Sequence, residues 1–189
     1  MKITVVIPTY NEAGNISSMV ESLFDLGLKE LNILIVDDRS GDGTDLIADR
    51  LASGSDGRVA VIHRAGQRGL GISYLDGFRR ALAEGADIIV QMDADFSHSP
   101  KDVPRLIKAI EEKADAAIGS RYTKGGRTAD DWGKGRAALS WSANAYARTI
   151  LGVKVRDITA GFKAWKRSAL LALNIDRVRS NGYVFQVEM

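Results

Sequence analysis

DIIVQMDADFSHSP, residues 87–100, runs from an apolar segment of strand length into two aspartates one residue apart, Asp93 and Asp95, and then into a Ser-Pro pair. The apolar run has the continuous character of a strand buried on both faces. Ser99 followed by Pro100 is the chemistry of a helix start: a capping residue, then a ring whose missing N–H is not needed in the first turn. The stretch reads as strand, charged turn and helix. Whether that unit repeats decides the fold.

It repeats along the chain. ITVVI (3–7), NILIV (32–36) and RVAVI (58–62) are further apolar runs of strand length, and DAAIGS (115–120) is a fifth. Between them lie segments of helical period: Ile16, Met19, Val20, Leu23 and Phe24; Leu46, Ile47 and Leu51; Ile72, Leu75, Phe78 and Leu82, ended by Gly85; and Val103, Leu106, Ile107 and Ile110 after Pro100. Strand and helix in strict alternation predict an α/β fold, a mostly parallel, Rossmann-like sheet with helices on both faces. With 189 residues, 45% of them hydrophobic, one substantial core is expected and hence one domain, 1–189. Within it, 1–120 carry the regular alternation and 121–189 a looser pattern. There RYTKGGRTADDWGKGR (121–136) reads as a long loop, AALSWSANAYARTIL (137–151) as a helix, VKVRDITAGFKAWK (153–166) as an extended or hairpin segment, and RSALLAL (167–173) as a short helix.

Composition removes several chemistries. The absence of cysteine excludes disulfides and thiolate metal sites, and His63 and His98 are too few for an all-imidazole site, so any metal is oxygen-bound. No apolar run approaches the roughly 20 residues of a membrane-spanning helix, and MKITVVIPTY is too short for a signal-peptide core. A soluble polypeptide working on the cytoplasmic face of a membrane is expected. The net charge of +2 conceals a division: residues 1–120 hold 13 Lys and Arg against 19 Asp and Glu, and residues 121–167 hold 11 against 3. The basic part calls for an anionic partner, whether phosphate, nucleic acid or anionic lipid, or else is a solvated basic face. Its few aromatics, Tyr122, Trp132, Trp141 and Tyr146, make nucleic acid the weakest of these.

In open α/β sheets ligands bind beyond the carboxyl ends of the strands. Here those ends are followed by Pro8, Thr9, Tyr10, Asn11 and Glu12; by Asp37, Asp38, Arg39, Ser40 and Gly41; by Asp93, Ala94 and Asp95; and by Arg121 and Tyr122. Two neighbouring carboxylates repel unless a cation or hydrogen-bond donors compensate. Mg²⁺ or Mn²⁺ suits them, taking one or two carboxylates and completing its shell with water and substrate phosphates; the alternative is that they only cap the following helix. Asp37 and Asp38, before the turn RSGDGT, sit where nucleotide folds receive ribose or base. Neither the dinucleotide fingerprint nor a P-loop is present, and RGLG (68–71) is explained equally well by helix capping. No nucleophilic serine with a base is visible. His63 is read as structural, and His98 as a residue of the helix start, though near enough to the aspartates to serve them.

Together VVIPTYNEAGNI, IVDDRSGDGTDLIADRL, GLGISYLDGFRRAL, VQMDADFSHSP, GSRYTKGG, ANAYARTILG and DITAGFKAWKRSAL resemble the inverting nucleotide-sugar glycosyltransferases. Within that family they are most similar to the dolichol/polyprenol-phosphate mannose synthases, in order from about residue 3 to the chain end. The resemblance implies a GT-A fold and metal-dependent transfer of mannose from GDP-mannose to a polyprenyl phosphate lipid at the membrane surface. It implies that Pro8, Tyr10 and Glu12 border the guanosine, with Val36 and Asp38 beside base and ribose. Asp93, Ala94 and Asp95 approach ribose and diphosphate, with Asp95 the principal metal ligand and Asp93 its neighbour. Arg121, Arg136 and Ser140 bind the acceptor phosphate, the two arginines serving catalysis with Asp95. Two departures from relatives stand out: Ser97 where many have an amide or acid, and a chain that stops at YVFQVEM where relatives continue, some with membrane helices. The same chemistry with UDP-glucose, or a non-catalytic nucleotide-sugar-binding module, are the alternatives.

Overall fold

Strands that are apolar throughout can be satisfied only by burial on both faces, and that is what the central strands achieve. A computed structural model describes residues 1–123 and 134–189, apart from the side chains of residues 134–141, 143 and 183. In it β1, Ile3–Thr9, is buried at every position. Only Asn32 of β2, Leu31–Asp37, is partly exposed, and β4, Ile88–Gln91, is buried throughout. With β3, Val59–His63, these strands are parallel neighbours.

Alternate residues of each strand feed two cores. Val5, Ile7, Ile33, Ile35 and Val90 face Ile16, Met19, Val20 and Leu23 of α1, Ile16–Phe24, together with Ala48 of α2, Thr44–Ser53, and the stripe Val103, Leu106, Ile107 and Ile110 of α4, Val103–Glu111. Val6, Leu34, Val36 and Ile89 face Tyr74, Leu75, Phe78 and Leu82 of α3, Leu70–Ala83. Leu46, placed on the inner stripe of α2 by its spacing, is 61% exposed; Ile47 and Leu51 pack on the core instead. In α3 Tyr74 is fully buried alongside Phe78, while Ile72 is only half-buried. Pro100 opens a 3-10 turn, Pro100–Asp102, before α4 begins, and Ser99 makes no side-chain capping bond.

The sheet departs from simple alternation at one edge. DAAIGS does supply a strand, β5, Ala116–Ile118, but β5 does not lie against β4. Of the segment read as extended or hairpin, only Lys163–Lys166 forms a strand, β6, and it is wedged between them in the order β3-β2-β1-β4-β6-β5. It runs antiparallel to both, pairing Gln91 with Lys163 and Ile118 with Lys163. The sheet is thus six-stranded and mostly parallel. The chain reaches β6 through α5, Lys134–Leu151, and leaves it through α6, Arg167–Ala172, and α7, Tyr183–Glu188.

β6 carries a buried ammonium. Lys163 is 2% exposed and donates from Nζ to the Gln186 carbonyl of α7 at 2.7 Å. Gln91 Nε2 donates to Gln186 Oε1 at 2.6 Å, and Trp165 Nε1 to Gln91 Oε1 at 3.4 Å. Lys163, Gln91, Gln186 and Trp165 thus find partners in one another, and the network ties α7 to the sheet. Burial lowers Lys163 from its usual 10.5 to about 8, with Asp157 pulling the other way.

Two consequences are measurable. α3 crosses the sheet so closely at Gly77 that a Cβ there would lie 2.3 Å from Val6 Cγ1 and 3.1 Å from Val36 Cγ2. Gly77→Ala should therefore destabilise the protein by about 1–3 kcal/mol in urea unfolding, although alanine is the better helix former. For Lys163, whose folded-state value is depressed to about 8, the unfolded chain binds the extra proton between about pH 8 and 10.5, so this group's contribution to stability rises with pH through that window. That shift corresponds to about 3 kcal/mol. The stability of wild type relative to Lys163→Met should rise by about that amount from pH 8 to 10.5 in parallel denaturant titrations.

Candidate active site

The loops after β1 and β2 are knitted together by short polar side chains. Asp37 is 2% exposed; its Oδ1 accepts the Ser40 hydroxyl at 2.6 Å and the Thr9 hydroxyl at 3.2 Å. Asn11, held at φ 58°, donates from its amide to Ser40 Oγ at 2.9 Å and accepts from the Gly41 amide at 2.9 Å. The Glu12 amide donates to Thr44 Oγ1 at 2.9 Å, and Glu12 Oε2 accepts from Asn15 Nδ2 at 2.8 Å. Asp38 is 6% exposed and is held by Arg64 Nη1 and by the Gly69 amide at 2.7 Å. Arg64, itself buried, is braced by Asp76 at 2.7 Å. The RGLG turn is thus read by Asp38 through a backbone N–H. Beside it Arg68 lies 4.4 Å above the Tyr10 ring and donates to its hydroxyl at 2.7 Å.

These contacts locate the residues assigned to the donor. Tyr10 is 49% exposed and presents a ring to solvent. Glu12 is half-buried, and Pro8 and Val36 are buried in their strands, Val36 against Gly77. Asp38 is engaged by Arg64 and Gly69 rather than projecting freely.

At the end of β4 the two aspartates are treated differently. Asp93 is half-buried; its Oδ1 accepts the Tyr74 hydroxyl at 2.6 Å, and its Oδ2 lies 3.8 Å from His98 Nδ1. Burial and the charge of Asp93 push Tyr74 well above its usual value, so it remains a donor. Asp95 is exposed, and Ser97 donates its amide to Oδ1 at 2.9 Å across a turn with Phe96 at φ 60°. Ala94, 2% exposed, is inside. His98 does not serve the helix start: its ring stacks on Phe162 at 5.2 Å, and burial lowers its pKa against the pull of Asp93 and Asp95. Among the described residues no three His, Asp or Glu side chains converge on one point. A pair of oxygen donors, one of them exposed, fits a hard divalent ion that completes its shell with water and substrate oxygens, and does not fit a closed protein cage.

Arg121, which follows β5, is set by a residue that the sequence reading missed. Asp157, fully buried, accepts from Arg121 Nε at 2.9 Å, from Nη2 at 2.8 Å and from the Arg121 amide at 3.0 Å. Thr159 Oγ1 takes a further bond from Nη2 at 2.9 Å. The Asp157 hydrogen bond raises Arg121; burial pushes Asp157 up, but the Arg121 bonds outweigh it and hold Asp157 below its ordinary value. A sequence signal existed, since Asp157 is the one acid between residues 132 and 175. Asn144 of α5, 3% exposed, anchors that helix by donating to the Arg156 carbonyl and accepting from the Ile158 amide at 3.0 Å. Arg136 and Ser140 fall on α5, with side chains outside the described residues.

The two halves meet at the start of β6. A Cβ on Gly161 would lie 3.1 Å from Asp93 Oδ2 and 3.1 Å from His98 Cε1, so this backbone closes onto the aspartate site. His98 is within electrostatic reach of Asp93, Asp95, Arg121 and Asp157 together.

Comparison with known proteins bears on the fold and the family. The chain is 45% identical over 185 residues to polyprenol monophosphomannose synthase of Mycolicibacterium smegmatis, covering 98% of this chain and 69% of that protein. It is 42% identical over 189 residues to undecaprenyl-phosphate mannosyltransferase of Micrococcus luteus, covering 100% and 76%. Glucosyl-3-phosphoglycerate synthase from Mycobacterium tuberculosis superposes with a TM-score of 0.67 at 24% identity, over 98% of this chain and 62% of that one. A mannosyltransferase from Pyrobaculum calidifontis, in complex with GDP-Man and Mn²⁺, does so with 0.58 at 19% identity, over 92% and 46%. These likenesses give the glycosyltransferase GT-A fold. Residues 4–173 match the family model for glycosyl transferase family 2, and the chain belongs to that family.

Proposed function

We propose that this glycosyltransferase moves mannose from GDP-mannose to a polyprenyl monophosphate with inversion at the anomeric carbon. The observation that carries the reading is an acidic strand end, Asp93 and Asp95, closed by the Gly161 backbone, with Arg121, paired to Asp157, within electrostatic reach of the same His98. The names and identities of the two bacterial relatives support mannose and a polyprenyl phosphate.

The donor would lie over the carboxyl ends of β1, β2 and β4, its base toward Tyr10 and Arg68 and its diphosphate toward Asp93 and Asp95. Those two carboxylates would hold Mg²⁺ or Mn²⁺, which when bound offsets the charge that develops on departing GDP. Arg121, oriented by Asp157 and aided by Arg136 and Ser140 of α5, would receive the acceptor phosphate. No general base is required, because a phosphate monoester with a second pKa near 6 is already an anionic nucleophile at neutral pH. Its oxygen forms the new bond to the anomeric carbon while the bond from that carbon to the GDP oxygen breaks. GDP leaves with the electron pair, and the product is the β-linked lipid phosphate sugar. The protein's part is alignment of two anionic substrates and relief of their repulsion.

The acceptor's lipid tail calls for a membrane surface. No helix among the described residues is long and apolar enough to cross a membrane. The end of α5 and the segment after it expose Tyr146, Ile150, Leu151, Val153 and Val155 beside the exposed Lys154 and Arg156. Apolar and basic side chains in one patch suit peripheral contact with an anionic bilayer.

The test is incubation with GDP-mannose or UDP-glucose, a short polyprenyl phosphate and Mn²⁺, followed by mass spectrometry of the lipid fraction. Mannosyl phosphate lipid from GDP-mannose alone is the expected product; glucosyl lipid, or no lipid sugar at all, would overturn the reading. EDTA should abolish turnover, and Asp95→Asn should lower kcat/KM by about 100-fold. Arg121→Lys, which loses the bidentate bond to Asp157, should raise the KM for the lipid phosphate by about tenfold.

A further inference from the structure

Tyr74 is in the middle of α3, on the face of the sheet away from α1 and α4, and is fully buried. Its ring is held in an aromatic sandwich, parallel to Phe185 of α7 within 3° at 5.8 Å and tilted against Phe78 at 5.8 Å. Phenylalanine would fill that space equally well. A hydroxyl in such surroundings is unfavourable unless it finds a partner, and the partner is Asp93 Oδ1 at 2.6 Å. The bond runs from the core outward to the strand end where the candidate donor site begins. On the other side of the same carboxylate, Oδ2 is bounded by His98 Nδ1 at 3.8 Å and by the Gly161 backbone, where a Cβ would come within 3.1 Å. One oxygen is therefore fixed from beneath, and the other lies beside His98 and the Gly161 backbone, on a side chain that is 31% exposed.

We propose that Tyr74 is a positioning residue of the donor site, its buried hydroxyl locking the Asp93 carboxylate in the one orientation that turns Oδ2 toward the bound nucleotide diphosphate and its cation. The assignment rests on the donor site described under the proposed function. Tyr74 touches no substrate; it acts through Asp93. Phe78 of the same helix and Phe185 of α7 pack the Tyr74 ring, while the direction of its hydroxyl is fixed by the bond to Asp93 itself.

The test is Tyr74→Phe beside Phe78→Leu, a change in the same cluster that loosens packing and keeps the hydroxyl. Binding of Mn²⁺ in the presence of GDP is followed by the electron paramagnetic resonance signal of unbound Mn²⁺, with no turnover involved. Thermal melting confirms that each variant is folded. Wild type and Phe78→Leu should bind alike, and Tyr74→Phe about tenfold more weakly, as expected for losing a hydrogen bond to a charged group. In turnover Tyr74→Phe should raise the KM for GDP-mannose by a similar factor and leave the KM for the lipid phosphate unchanged. Equal Mn²⁺ affinity in wild type and Tyr74→Phe would overturn the inference and leave the donor site standing. Equal weakening in both variants would assign the effect to packing and overturn it as well. Failure of the wild type to bind Mn²⁺ with GDP would overturn the donor-site reading itself, and the role of Tyr74 with it.

Discussion

The site depends on the direction of one four-residue strand. β6 lies against β4 but runs opposite to it, so the start of β6 is beside the end of β4, with Lys163 across from Gln91. Whatever precedes β6 must therefore arrive at the carboxyl edge of the parallel strands. That is how Asp157, Thr159, Gly161 and Phe162 reach Asp93 and His98. A parallel strand in the same place would carry this segment to the opposite edge, 4 residues of β6 away at about 3.3 Å per residue. Gln91, Lys163, Trp165 and Gln186 hold the strand in that register, each by a buried polar contact. The depressed Lys163 ammonium is the penalty of that arrangement, and its bond to the Gln186 carbonyl offsets part of it.

The acidic and basic halves of the chain come together because of this reversal. Their charges are not left to face each other unmanaged. Asp38 is matched by Arg64, Arg121 by Asp157, and Asp93 by the Tyr74 hydroxyl. Asp95, by contrast, with one backbone N–H from Ser97, stands in solvent. Preorganised pairs of this kind fix geometry before a ligand arrives, which is where most of the stabilisation of a charged transition state originates.

Much of this was legible in the residues. The apolar runs and the three-and-four spacing located β1 to β5 and α1 to α4, because burial on two faces and on one stripe leave different periods. The polar strand ends located the cleft, and Asp157, the one acid between residues 132 and 175, could have been found by counting charges. The position of β6 could not. Lys-Ala-Trp-Lys has no strand period, and its partners, Gln91 and Ile118, are 72 and 45 residues distant. Leu46 and Ile72, placed on inner stripes by their spacing, are exposed and half-buried for a related reason. A helical stripe fixes which residues are neighbours on one helix, but the way the helix lies on the sheet, as at Gly77 for α3, decides which of them turn inward.

The same reasoning bears on why two adjacent carboxylates are stable at the end of a buried strand. Alternation along the strand would point Asp93 and Asp95 to the same side, yet the chain leaves the sheet at Met92, and the left-handed residue Phe96 turns it back. Asp93 is then held from within by a phenol that burial keeps protonated, and Asp95 is solvated, so the repulsion between the two is relieved by a donor on one side and water on the other. On the proposed function, a cation arriving with a nucleotide diphosphate would meet one carboxylate already held by a hydrogen bond and one open to solvent. That division suits an ion that must be bound and released with each leaving group, because a rigid cage of several carboxylates would retain it after GDP departs.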